Sequence, residues 1–187
     1  MKYLIMKINI RIFVVILLIS HLSFLTSVSV SAQESSVSSK PLTTSYDLVH
    51  PGLLPDHPFY FLKVARDNLM GFFKGPPIDR ASFALLQSDK QVAASHVLIT
   101  KKQNADLAHT SFVSAQDYYE QAIMHTLVAQ KEGINIQEMS AKLSQAGAKH
   151  QAILNEIEQY LDAKDQTMFD EEKEQSEKLA QMVQSLH

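Results

Sequence analysis

The chain of 187 residues contains no cysteine. Without thiols there is no disulfide, no thiolate metal site, no cysteine nucleophile and no lipid anchor attached through sulfur. Glycine is nearly as scarce, and Gly52, Gly71, Gly75, Gly133 and Gly147 stand too far apart to cradle a phosphate. Runs of alternating β-branched residues are missing, so no strand is expected. No G-x-S-x-G, H-E-x-x-H, P-loop or dinucleotide fingerprint occurs. The Glu-x-x-His pairs of carboxylate di-iron bundles are also missing. The expectation is a protein held together by packing alone, with no catalytic residue, no cofactor and no enzymatic activity.

What is present begins with a secretory pattern over residues 1–32. Lys2, Lys7 and Arg11 make a positive start, Ile12 to Leu25 form an apolar run broken only by Ser20, His21 and Ser23, and Val30-Ser31-Ala32 supplies the small residues of a cleavage site. The run is long enough that a retained membrane anchor is the alternative to cleavage before Gln33. Residues 33–45 are rich in Ser and Thr, contain Pro41, lack apolar period and read as a flexible spacer. Residues 46–187 then form one helical domain, placed outside the cytoplasm as a periplasmic, cell-surface or secreted protein. All 20 acidic residues but only 14 of the 17 basic ones follow the signal, which gives the mature chain a formal charge of −6. That balance argues against nucleic acid and against an anionic membrane surface, since both need clustered Lys and Arg. Membrane contact is expected only through the signal segment, if it is kept.

The periodicity of the rest predicts an all-α fold, a small antiparallel bundle of about five helices around a long central hairpin. The first runs from Pro58 to Phe73 and is stopped by Gly75, Pro76 and Pro77. The second runs from Asp79 to Lys102. Asn104 caps the third, which Gly133 stops after Glu132. Asn135 caps the fourth, through about Ala163, and Gln166 or Thr167 to Leu186 makes a fifth whose polar first half, around Asp170 to Lys178, should be solvated or frayed. In the fourth helix Ile136, Met139, Leu143, Ala146, His150, Ile153, Ile157 and Tyr160 recur at 3-4 spacing as one seam. Ala108, Phe112, Ala115, Tyr119, Ala122 and Thr126 do the same in the third, so these two are expected to pack as the hairpin.

The least ordinary stretch is His50-Pro-Gly-Leu-Leu-Pro-Asp-His-Pro-Phe-Tyr-Phe-Leu-Lys63. Pro55 and Pro58 fix φ, Asp56 is the better candidate than His57 to cap the first helix, and Phe59, Leu62, Arg66, Leu69 and Phe73, with Phe61, Ala65 and Phe72 beside them, are expected to lay an apolar face on the bundle while Leu53 and Leu54 cover its entry. The stretch therefore reads as a structural motif that starts the domain, carried by Pro55, Asp56, Pro58, Phe59, Phe61 and Leu62. Its rival is a ligand or metal mouth made by His50, Asp56 and His57. The motif at Leu54 to Lys63, followed by a helical hairpin, resembles a family of exported bacterial proteins of unknown function that open on Leu-Pro-Asp-Ser-Pro-Phe-Tyr-Phe-Leu-Lys. His57 stands where that family has Ser. The resemblance implies a helical extracytoplasmic domain over about Gly52 to Leu161 and implies no activity.

Histidine is the one residue type that could carry chemistry. No two histidines of the mature chain lie three or four apart, so a metal site would need His96, His109, His125 and His150 to converge from different helices. His150, set in the seam, is expected to be buried and hydrogen-bonded to a facing helix, with Tyr118, Tyr119 or Ser and Gln of the third helix as partners. The function expected is a non-enzymatic module that binds an envelope or extracellular protein or peptide; a divalent-metal or small-ligand binder using histidines is the alternative. N-terminal sequencing of the exported protein should begin at Gln33, and a start at Met1 or Lys2 would show that the apolar segment is kept.

Overall fold

The structure, a computed structural model, describes residues 46–72 and 75–186. The signal, the spacer and the expected helix end at Phe73 lie outside them. Among the described residues there are helices and turns and no strand, in the order α1 (Tyr60–Phe72), α2 (Pro77–Thr100), α3 (Ala105–Lys131), α4 (Gln137–Glu158), α5 (Ala163–Gln166) and α6 (Asp170–Gln184). A 3-10 turn, Thr167–Phe169, joins the last two.

Local chemistry sets the boundaries. α2 starts two residues before the expected Asp79 because Pro77 sits in its first turn, where the missing amide donor costs nothing. The Asn104 side chain accepts the Leu107 amide at 3.0 Å and caps α3. At the other end Gly133 takes φ +77°, and its amide and that of Ile134 donate back to Gln130 O and Ala129 O. This pair of bonds satisfies two carbonyls that a helix end would otherwise leave bare. Asn135 accepts the Gln137 amide at 2.9 Å at the start of α4. The fourth helix does not reach Ala163. It stops at Glu158 because Asp162 Oδ1 accepts the amides of Lys164 and Asp165 and so starts a new turn. Tyr160, expected in the seam, is consequently exposed.

The tightest pair is α2 with α3, not α3 with α4 as the seams suggested. Ala81, Ala84, Ser88 and Ser95 of α2 face Ala108, Ala115 and Ala122 of α3, and small residues let the backbones approach. Ser88 Oγ donates to Ala115 O and Ser95 Oγ to Ala108 O, each at 2.7 Å. The partners run in opposite order along the two chains, so the pair is antiparallel. α4 instead leans on α2 and α6, because bulky Leu143, Ile153 and Leu154 and the inserted ring of Tyr119 hold its backbone away from α3. α6 is helical from Asp170, with Glu172 buried, so its first half is neither frayed nor wholly solvated.

The core falls into two clusters. One gathers Leu85, Ile123, Met139, Leu143, Leu179 and Val183. The other gathers Val92, Leu98, Phe112, Leu154, Ile157 and Phe169. Both clusters lie within one compact unit, Thr44–His187.

Exposure turns this packing into a contrast. Phe112→Ala, at a side chain 1% exposed, should cost about 3–5 kcal/mol in urea unfolding. Leu62→Ala, at a side chain 55% exposed, should change stability by less than about 0.5 kcal/mol. A large cost for Leu62→Ala would contradict the fold described for α1.

Candidate functional site

Between the two core clusters lies a polar layer. Asp89 of α2 is buried there, with Oδ1 2.7 Å from His150 Nε2 of α4 and Oδ2 accepting the Tyr46 hydroxyl at 2.6 Å. His150 is thus buried and bonded to a facing helix as expected, but its partner is a carboxylate of α2 and not a group of α3. Tyr119 contributes its ring, packed edge-on 5.2 Å from the imidazole, while its hydroxyl donates to Leu143 O at 2.6 Å. That hydroxyl would lie 2.6 Å from a Cβ at position 147, so only glycine fits there. A cavity of about 20 Å³ beside His150 and Gly147 is no larger than one water.

The other candidate histidines are spread through the bundle. His96 Nε2 meets Glu156 of α4 at 2.9 Å, and His109 Nε2 meets buried Glu172 of α6 at 2.9 Å. His125 stands apart near Arg80, and burial first, then the guanidinium, holds its imidazole below the ordinary value. Three of the four are therefore cross-helix links to separate carboxylates. Among the described residues no three His, Asp or Glu side chains gather as metal ligands.

The opening stretch folds as two turns with proline at their second positions: His57 N–H bonds Leu54 O across Pro55-Asp56, and Tyr60 N–H bonds His57 O across Pro58-Phe59. The cap is not Asp56. His57 Nδ1 accepts the Phe59 amide at 3.2 Å, whereas Asp56 reaches out to Lys102 Nζ at 3.3 Å. His50 Nδ1 accepts the Gly52 amide. His50, Asp56 and His57 each have a different partner and do not converge.

The larger correction concerns α1. Its inward stripe is Tyr60, Lys63, Asp67 and Gly71, one residue out of register with the stripe expected to face the bundle. Lys63 is only 7% exposed; its ammonium donates to Pro51 O and Leu53 O at 3.0 and 3.2 Å and lies over the Tyr60 ring. Tyr60 OH accepts from Gln91 Nε2 at 3.1 Å, and Gly71 lets α1 rest against the Phe83 ring. These contacts turn the apolar residues outward. Phe61 is 64% exposed, Leu69 59% and Phe59 58%, with Leu62, Met70 and Leu53 also open. An isolated exposed Leu is ordinary, but six large apolar side chains on one helix and its approach form a patch of the kind that marks interaction sites.

A groove of about 430 Å³ runs along one flank of α1, walled by Leu53, Leu62, Lys63, Arg66 and Lys90. Burial holds the Lys63 ammonium below its ordinary value; Lys90 and Arg66 press the same way and Asp67 opposes them. Asp67 is engaged by Arg66 through both Nε and Nη2, at 2.9 and 2.7 Å. The patch, its inward lysine and this groove were not legible in the sequence. The available signal was the i, i+4 spacing of Lys63 and Asp67, which marks a polar stripe but not which way it faces.

Compared with protein families, curated proteins and solved structures, the chain has no match.

The buried phenols give the polar layer a pH signature. Burial, and then the bond to Asp89, pushes the Tyr46 phenol above its ordinary 10.0. Burial does the same to Tyr119, opposed by the backbone of Gly147 beside its hydroxyl. A phenol whose folded pKa is raised contributes stability that is fully present below pH 10.0 and is lost as pH climbs beyond it. The urea midpoint should therefore hold up to that pH and then fall, and Tyr46→Phe should fall less steeply than the parent. Identical alkaline slopes would show that Tyr46 is not part of the layer in solution.

Proposed function

We propose that this chain is an exported, non-enzymatic helical interaction module of the cell envelope, and that it docks through the outward face of α1. The observation that carries the reading is the exposure of Phe61, Leu62 and Leu69 on a helix that turns Lys63 and Asp67 inward, with Phe59 exposed just before it. Leaving these groups in water forgoes on the order of 1.5–3 kcal/mol for each large side chain that a partner could cover. A helix that only closed a core would bury them. The docking place is thus a convex helix face.

The signal pattern of residues 1–32 supports export, and the opening motif supports kinship with exported bacterial proteins. Among the described residues no helix is long and apolar enough to cross a membrane. The histidine metal-binder reading has less support, since His96, His109 and His150 are each occupied by a different carboxylate.

A photoreactive residue introduced at Phe61 or Leu69 should form adducts in intact cells. The same residue at exposed Gln145 of α4 should form far fewer. Equal yields from all three positions, or none from α1, would rule out docking through this face.

A further inference from the structure

The outward side chains Phe61, Leu69, Leu62, Phe59 and Met70 occupy about half of the circumference of α1 at 100° per residue. Of the other exposed residues on that side, Ala65 is apolar and Arg66 lies within the arc, between Leu62 and Met70. The arc is convex, so a protein partner would need a groove shaped to it, whereas the acyl boundary of a bilayer conforms to any convex apolar surface. Charge favours the same partner. Lys63, Arg66 and Lys90 line the groove beside Leu53 and Leu62, and none of the lining residues is acidic. The Lys90 ammonium has no partner among the described residues, and Arg66 is well exposed although it holds Asp67. On the opposite flank Arg80 and His125 line a second groove with Asp67 and Tyr118. An apolar arc with one basic side chain in it and another beside it suits a helix lying in the plane of a membrane surface, its apolar side about 5–10 Å into the headgroup and acyl boundary and its long basic side chains reaching up to the headgroups.

We infer that α1 lies flat on an anionic lipid surface, with Phe61, Leu62 and Leu69 among the acyl chains and Arg66 and Lys90 on lipid phosphates. This rests on the docking reading of α1 given above and names its partner. The chain's net negative charge argued against such a surface, but charge acts locally, within about 8–10 Å at ordinary ionic strength. Much of the negative charge sits elsewhere, on α6, where Asp170, Glu171, Glu174 and Glu177 are exposed. The bundle can therefore meet an anionic surface with its positive side while its acidic helix remains in water.

The test uses the mature chain from Gln33 on, floated with vesicles of phosphatidylcholine alone or of phosphatidylcholine with phosphatidylglycerol. The protein should bind the anionic vesicles and leave the neutral ones. Leu62→Ser with Leu69→Ser should weaken binding by at least about tenfold, and Lys90→Glu by about fivefold or more. Circular dichroism should stay that of the parent in each case, since these positions are on the surface. Absence of vesicle binding, equal binding to neutral vesicles, or binding indifferent to the two leucines would each overturn the inference. If vesicles fail while α1 adducts in cells prove to be proteins, or sedimentation reveals self-association abolished by the leucine changes, the lipid partner is wrong and docking by α1 stands. If vesicles, adducts and self-association all fail, docking by α1 falls with it.

Discussion

A carboxylate buried between two apolar clusters must be satisfied or it unfolds what surrounds it, and Asp89 sets that requirement for this bundle. Its two oxygens are taken by His150 from α4 and Tyr46 from the chain that approaches α1. Removing one partner of such a pair typically costs about 3–5 kcal/mol because the other is left buried and uncompensated. The arrangement therefore fixes register more than it adds net stability. α4 can slide along α2 only by abandoning the bond, and the segment at Tyr46 is held against the same point. His96 with Glu156 repeats the α2–α4 link one helical stretch further on, and the partners ascend together in both chains, so the two helices are parallel neighbours.

Close approach decides the rest of the packing. Ser88 and Ser95 put hydroxyls on α3 carbonyls, and alanines fill the space between them, so α2 and α3 form the tight pair. Once those backbones are close, the larger seam residues of α4 have to pack against α2 and α6 at greater separation. Tyr119 bridges the gap that remains by sending its hydroxyl to Leu143 O past Gly147. The same logic places α6, whose buried Glu172 faces His109. A run as polar as Asp170 to Lys178 can still supply one buried face when a single acid finds a partner across the interface.

α1 inverts the usual order of a helix on a bundle. The Lys63 ammonium satisfies two carbonyls of the opening turns, and Tyr60 and Gly71 meet α2 at Gln91 and Phe83. Three specific contacts thus outcompete the nonspecific gain from burying Phe61 or Leu62, and the apolar face is left available. Proline and glycine around Pro51 to Pro58 make this possible, because they bend the chain back far enough for its carbonyls to reach the lysine.

The sequence by itself determined that the fold is all-helical, where most helices start and stop, and which side of α3 and α4 is buried. Caps such as Asn104, the stop at Gly133 and 3-4 spacing are local effects, written within a few residues of where they act. The Asp162 cap that ends α4 early was equally local and readable. Tertiary structure alone decided three matters: that α2 rather than α4 is the close partner of α3, that Asp89 is the partner of His150, and that α1 turns its apolar side outward. Each depends on residues 13 to 61 positions apart or on a one-residue choice between two stripes of the same helix. Spacing records which residues share a face; it carries no information about what that face will meet.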